Sequence, residues 1–295
     1  MLNAEQKRYF WENGYLALER FLTDAELAEI RSAVDELVAA AEGLTASTER
    51  YDIGPPRPGA EPVVRRIFNP AEADPRLEAV ALNDRVLDVV ESLIGPDIEF
   101  HHGKVNLKWP HGGAEVAWHQ DLAFFPHTNT DLVACMFYLD DATVENGCLL
   151  VLPGSHRYGV LDHFAEGLFV GAVTEALKLL PMDQVRPIEV PAGSMTVHHC
   201  LTLHASKENL SSKPRRVLIY QYRAADAMQL VPDRSGARHY GQLLRGQRSG
   251  AVRCETITYR LPNHFAEDRQ RSLYELQEEF KRKQGIASLV SEGGQ

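Results

Sequence analysis

The hydrophobic positions of this chain recur at helical spacing near its start and at strand spacing through its middle. Residues 3–13 carry a helical pattern, and Tyr15 to Phe21 alternates as a strand does. Thr23-Asp24-Ala25-Glu26 has capping-box spacing, so it opens a long helix to about Ala41. Residues 43–65 hold Gly43, Gly54, Pro55, Pro56, Pro58 and Gly59, which predicts a long loop. Another helix runs from about Asn83 to Ile94 and stops at Gly95-Pro96.

Strands then dominate: Ile98–Trp109, Glu115–His119, Leu132–Leu139, Cys148–Leu152, Pro187–Val190, Ser194–His198 and Arg215–Tyr222. Asn146-Gly147, between two of these apolar runs, predicts a hairpin turn. Pro153-Gly154-Ser155 turns the chain again. Within the excursion 157–185, Gly167 to Leu180 reads as a short amphipathic helix, a lid or surface decoration at a barrel mouth. A last helix, roughly Ala266 to Lys283, puts Leu273, Leu276 and Phe280 on one face to pack on a sheet. The pattern is mainly β with flanking helices, and a double-sheet jelly roll fits the strand count. No repeat or linker interrupts it. One domain over 1–295 is expected: a helical part to about 95, a core over about 96–225, and a tail over about 226–295.

Composition narrows the class. The apolar fraction of 44% supports a full core over 295 residues. The net charge of −10, with basic clusters as short as Arg215-Arg216 and Lys281-Arg282-Lys283, argues against nucleic acid as a partner. No apolar run is long enough for a membrane span, and the N-terminus does not read as a signal peptide. Cys135, Cys148, Cys200 and Cys254 are scattered without metal or disulfide spacing, which suits a cytoplasmic protein with reduced thiols.

The chemistry is concentrated in a few residues. His119 and Asp121 lie two apart at a strand end, so both can face one side. Two imidazoles and a carboxylate suit a mononuclear iron(II) site that keeps positions open for O2 and a cosubstrate. The second imidazole can come from His198, His199 or His204. His198 and His199 are adjacent and face opposite ways on a strand, and His204 has a basic residue downstream. Arg215 and Arg216 also face opposite ways, and an inward guanidinium needs an anionic partner such as a dicarboxylate.

Taken together, these segments resemble the phytanoyl-CoA dioxygenase-like family of iron(II)/2-oxoglutarate oxygenases. The resemblance is carried by Trp118-His119-Gln120-Asp121-Leu122 to Phe125-Pro126, by Glu145-Asn146-Gly147-Cys148-Leu149 through Pro153-Gly154-Ser155-His156, and by His204-Ala205-Ser206, Asn209 and Pro214-Arg215-Arg216. Asn13-Gly14-Tyr15 and Phe21-Leu22 add to it, and it spans roughly residues 5–225. It implies a double-stranded β-helix, a cupin-like jelly-roll barrel. It implies His119, Asp121 and His204 as iron ligands, Arg215 as the clamp on the distal carboxylate of 2-oxoglutarate, and Ser206 as its assistant. Asn106 resembles a cosubstrate contact, and His102 and Lys104 share its side of the strand. His156 and His199 match positions with a structural role. Asp121 stands where halogenating relatives have a small residue, which favours hydroxylation. The implied activity consumes O2 and 2-oxoglutarate, releases succinate and CO2, and hydroxylates an unactivated C–H bond of a small molecule: a natural-product intermediate, an amino acid or an acyl thioester. The residues alone leave two other readings open, a jelly-roll protein that binds a ligand without turnover and a cupin-like metalloenzyme without 2-oxoglutarate.

Overall fold

A computed structural model describes residues 1–54, 63–233, 236–262 and 272–290. The elements in chain order are α1 (Ala4–Asn13), β1 (Tyr15–Leu18), α2 (Asp24–Ala39), β2 (Tyr51–Ile53), β3 (Val64–Phe68), α3 (Pro70–Ala73), α4 (Pro75–Ala81), α5 (Asp84–Ile94), β4 (Ile98–Lys108), β5 (Val116–His119), β6 (Leu132–Tyr138), β7 (Leu149–Val151), β8 (Phe164–Ala165), β9 (Leu168–Phe169), β10 (Arg186–Ile188), β11 (Met195–His199), β12 (His204–Ser206), β13 (Arg215–Ala224), β14 (Leu243–Arg245) and α6 (Leu273–Gln284).

Two antiparallel sheets make the jelly roll. The larger runs β1-β11-β6-β13-β4-β3-β2 with β14 on the end of β4, and the smaller runs β10-β7-β12-β5. Apolar side chains fill the gap between them: Ala134, Met136 and Tyr138 from β6, Leu149 and Val151 from β7, and Val217 and Ile219 from β13. The outer face of the large sheet is equally apolar. Leu218, Tyr220 and Tyr222 of β13 pack with Val105 and Leu107 of β4 against Phe10, Ile30, Val34, Leu77, Val86 and Val90 of the helices. A sheet covered on both faces reads as a continuous hydrophobic run, which is what β6 and β13 show.

Local chemistry sets the helix ends. Asn3 and Thr23 each close a capping box, with Gln6 and Glu26 reaching back. Gly14 ends α1 at φ 81°, a left-handed conformation that glycine adopts without strain. Tyr220 and Tyr222 donate from the sheet to the Leu77 and Ala81 carbonyls of α4. A Cβ added to Gly103 would lie 2.5 Å from ring carbons of Tyr220, so the ring packs flat on bare backbone there.

Strand β4 changes faces partway along. Ile98 and Phe100 face the helices, and so do Val105 and Leu107. The parity reverses because the pairing with β13 slips between Gln221 and Tyr222, leaving one extra residue, His101, on β4. This bulge turns both His101 and His102 inward, and their Nδ1 atoms lie 2.9 Å apart.

Four expectations need correcting. Asn146-Gly147 joins β6 of one sheet to β7 of the other, so it is a crossover and no hairpin. Thr143 and Asn146 brace it by mutual side-chain to backbone bonds. Gly167–Leu180 is no helix: it holds β9 and then a 3-10 turn over Glu175–Leu179. The expected loop 43–65 carries β2 and the start of β3 on the edge of the large sheet, while 55–62 lie outside the described residues. α6 begins at Leu273 with Ser272 as its N-cap, and 266–271 of the expected helix lie outside the described residues. Among the described residues no helix is long and apolar enough to cross a membrane.

Candidate metal centre and cavity

The two sheets meet at a cavity lined by Arg66, Lys104, Asn106, Val116, His119, Asp121, Met136, Leu149, His198, His204, Ala205, Ser206, Arg215, Ile219, Gln221 and Leu273. His119 ends β5 and His204 begins β12, and the register pairs them directly. Their rings sit 4.1 Å apart. Asp121 opens the 3-10 turn that follows β5. One ligand atom from each of these three residues lies within 4.8 Å of the others.

The tautomers are set by the backbone. His119 Nδ1–H donates to the Ala117 carbonyl at 2.8 Å, and His204 Nδ1–H donates to the Thr202 carbonyl at 2.8 Å. Each bond reaches back two residues and leaves Nε2 as a free lone pair. Asp121 Oδ2 lies 3.1 Å from His198 Nε2, and Oδ1 lies 4.0 Å from His119 Nε2. Two neutral imidazole nitrogens and one carboxylate oxygen therefore face a common point. That donor set fits a divalent iron with one open face.

Electrostatics prepare the same states. Burial lowers the His119 pKa well below the usual imidazole range and brings His204 to about 4, so both are neutral at pH 7. Burial opposes ionisation of Asp121, but the hydrogen bond from His198 and the nearby Lys104 charge outweigh it, holding the carboxyl well below its ordinary value. Lys104 is brought down to about 8 by burial and by the Arg66 charge.

Arg215 enters from the first position of β13, opposite Lys108. It is 3% exposed, its Nε has no partner, and burial lowers its pKa. Its neighbour Arg216 points the other way and pairs with Asp140 and Asp35. The expectation that the two would face opposite sides therefore holds. Lys104, Asn106 and Ser206 line the cavity as well. His102 lies further along β4, its ring 4.6 Å from Phe125 and outside the cavity lining. His199 turns away from the cavity toward Trp11 and His156.

Sequence reasoning did not select His198, Gln221, Arg66 or α6. His198 shares the inward parity of Thr196 on β11, a signal available from alternation once the strand is placed. Arg66 lies on β3, one residue past the segment 43–65 read as a loop. α6 closes one side: Leu273 reaches the cavity, and Gln277 is bonded to the Ala117 N–H at 2.9 Å and the Gly171 carbonyl at 2.8 Å.

Comparison with known proteins gives a consistent picture. Residues 10–217 match the family model described as phytanoyl-CoA dioxygenase (PhyH). The chain is 34% identical over 242 residues to the "Probable alpha-ketoglutarate-dependent hypophosphite dioxygenase" of Stutzerimonas stutzeri, covering 81% of this chain and 83% of that one. It is 26% identical over 245 residues to L-proline trans-4-hydroxylase of Streptomyces griseoviridis, covering 74% and 85%. Among solved structures, the apoform of EctD from S. alaskensis superposes with a TM-score of 0.66 at 24% identity, covering 86% of this chain and 87% of that one. That likeness shows a shared fold.

Proposed function

Because the chain belongs to the phytanoyl-CoA dioxygenase (PhyH) family, whose relatives here are iron(II)- and 2-oxoglutarate-dependent dioxygenases, we propose that His119, Asp121 and His204 hold the iron, that Arg215 anchors 2-oxoglutarate, and that the enzyme hydroxylates a C–H bond of a small molecule. The observation that carries the ligand assignment is the pair of backbone-fixed Nε2 lone pairs facing the Asp121 carboxylate. When bound, iron and 2-oxoglutarate supply the oxidising power that activates O2, with succinate and CO2 as coproducts.

The chain's own residues do the rest. The carbonyls of Ala117 and Thr202 keep both imidazoles in the ligating tautomer. His198 occupies one oxygen of Asp121 and leaves the other for the metal. The buried Arg215 guanidinium fixes the far end of the dicarboxylate, and Ser206 on the facing sheet adds a hydroxyl within the same cavity. Lys104 and Asn106 flank it. Val116, Met136, Leu149, Ile219 and Leu273 make the remaining wall apolar and keep water from the reacting centre. His102 belongs to the histidine group behind this wall. The relatives' named substrates, hypophosphite and proline, support a small-molecule substrate rather than a polymer. Four free thiols, three of them buried, suit the cytoplasm.

The test is succinate release from 2-oxoglutarate with iron(II) and O2, alongside metal analysis. His119→Ala and Asp121→Ala are expected to lose iron at least tenfold and to lose succinate formation. Wild-type iron content in either variant would overturn the ligand assignment.

A further inference from the structure

The cavity carries more positive charge than iron and 2-oxoglutarate can absorb. Three of its lining residues are cationic, Arg66, Lys104 and Arg215, against one carboxylate, Asp121. Among the described residues none of the three has a carboxylate partner. Iron(II), one aspartate and dianionic 2-oxoglutarate together carry a single negative charge, so a surplus of positive charge remains. A buried cation without a partner is costly, and its persistence points to an anion that arrives.

Arg66 shows this most clearly. It is 4% exposed, donates from Nε to Asn106 Oδ1 at 3.0 Å, and leaves Nη2 buried without any partner. Its guanidinium carbon lies 4.9 Å from the Tyr274 ring, whose hydroxyl is also buried and unpartnered. The contrast with its neighbour is sharp. Arg65, on the same strand, is also buried but is bonded to both Asp52 and Glu278. The strand thus neutralises one arginine with the protein's own acids and leaves the other open toward the cavity. Arg66 sits opposite Asn106 on β3, with β4 between it and β13, the strand of Arg215. Two strand spacings are about 10 Å, so the two guanidinium groups start from separate walls.

We propose that Arg66 and Lys104 form a second anion site, and that the primary substrate is a small molecule carrying a carboxylate or phosphorus-oxyanion group bound there beside 2-oxoglutarate. This rests on the reading that Arg215 holds 2-oxoglutarate. A fork of guanidinium donors matches such groups in geometry as well as charge. The Lys104 ammonium adds a point charge on the side nearer Asp121.

The test uses the full-length enzyme loaded with iron(II) and 2-oxoglutarate under argon. Methylphosphonate and propionate are titrated calorimetrically beside their uncharged counterparts, dimethyl methylphosphonate and propionamide. The anions are expected to bind at least tenfold more tightly than the neutral molecules. Arg66→Gln should weaken the anions at least tenfold and 2-oxoglutarate less than threefold, with Arg66→Lys recovering part of the loss. Arg66→Met, which keeps most of the buried volume, gives the same comparison should Arg66→Gln fail to fold. Equal binding of charged and neutral probes, with 2-oxoglutarate bound normally, would overturn the second site alone. A drop in 2-oxoglutarate affinity without loss of the anions would reassign Arg66 to the cosubstrate and overturn it too. Failure of the wild-type enzyme to bind 2-oxoglutarate would bring down the underlying reading as well.

Discussion

Replacing Arg215 by methionine separates the cost of a buried guanidinium from its use. In the protein without cosubstrate, this side chain is buried and meets no carboxylate among the described residues. An apolar side chain of similar length removes that desolvation cost, which is about 1–4 kcal/mol for buried charges exchanged in this way. At about 2 °C per kcal/mol for a chain of this size, the melting temperature should rise by roughly 2–8 °C. With cosubstrate the sign reverses. Removing one partner of a buried, hydrogen-bonded charge pair costs about 2–5 kcal/mol. That corresponds to about a thirtyfold to several-thousandfold loss of 2-oxoglutarate affinity. Anaerobic titration of the iron(II) protein with 2-oxoglutarate, followed by its visible charge-transfer band, gives the affinity, and calorimetry of the cosubstrate-free protein gives the melting temperature. An Arg215→Met protein that binds 2-oxoglutarate as the wild type does would refute the clamp. One that melts several degrees lower would refute the account of an uncompensated charge.

Other perturbations test the frame around the site. Burial lowers His101, His163 and His204 to about 4 and His199 to about 3, so their unfolded imidazoles take up protons near pH 6.5 while the folded ones do not. Stability of the metal-free protein should therefore be full above about pH 6.5 and fall toward pH 4, by about 3 kcal/mol for each group lowered to about 4. A urea midpoint that stays level from pH 7 to 5 would contradict this. Gly103→Val drives a side chain into the Tyr220 ring and should cost about 1–3 kcal/mol in urea unfolding, with an unchanged midpoint as the contrary result. Gln277→Ala removes two buried bonds that tie α6 to β5 and to Gly171, so α6 should become more sensitive to limited proteolysis. Cleavage there at the wild-type rate would show that its apolar contacts suffice.

The strand and helix pattern was legible because it is local. Capping at Thr23, the apolar runs of β6 and β13, and the inward pairing of Lys104 with Asn106 all follow from spacing within one element. The proximity of His119, Asp121 and His204 needed the family resemblance, since the spacing to a downstream basic residue favours His204 over His198 only moderately. Contacts between distant elements were not legible. Arg66 directly follows a stretch whose glycines and prolines dominate the local signal, and Tyr274 comes from the far end of the chain. The Asn146-Gly147 turn shows the same limit: its residues specify a sharp reversal but not which sheet the chain joins next.

The single inserted residue at His101 changes what the inner side of β4 can hold. Ile98 and Phe100 before it and Val105 and Leu107 after it all belong to the helix-covered face. Excising it would leave plain alternation: Lys104 and Asn106 would still look into the chamber, and Val105 and Leu107 would stay in the greasy layer beneath the helices. The deletion would instead remove the imidazole that reaches Gln221 and Gln229, and with it the close contact between two successive rings. The bulge thus adds a histidine to the inner side without disturbing the charges further along, a change that no point substitution could imitate.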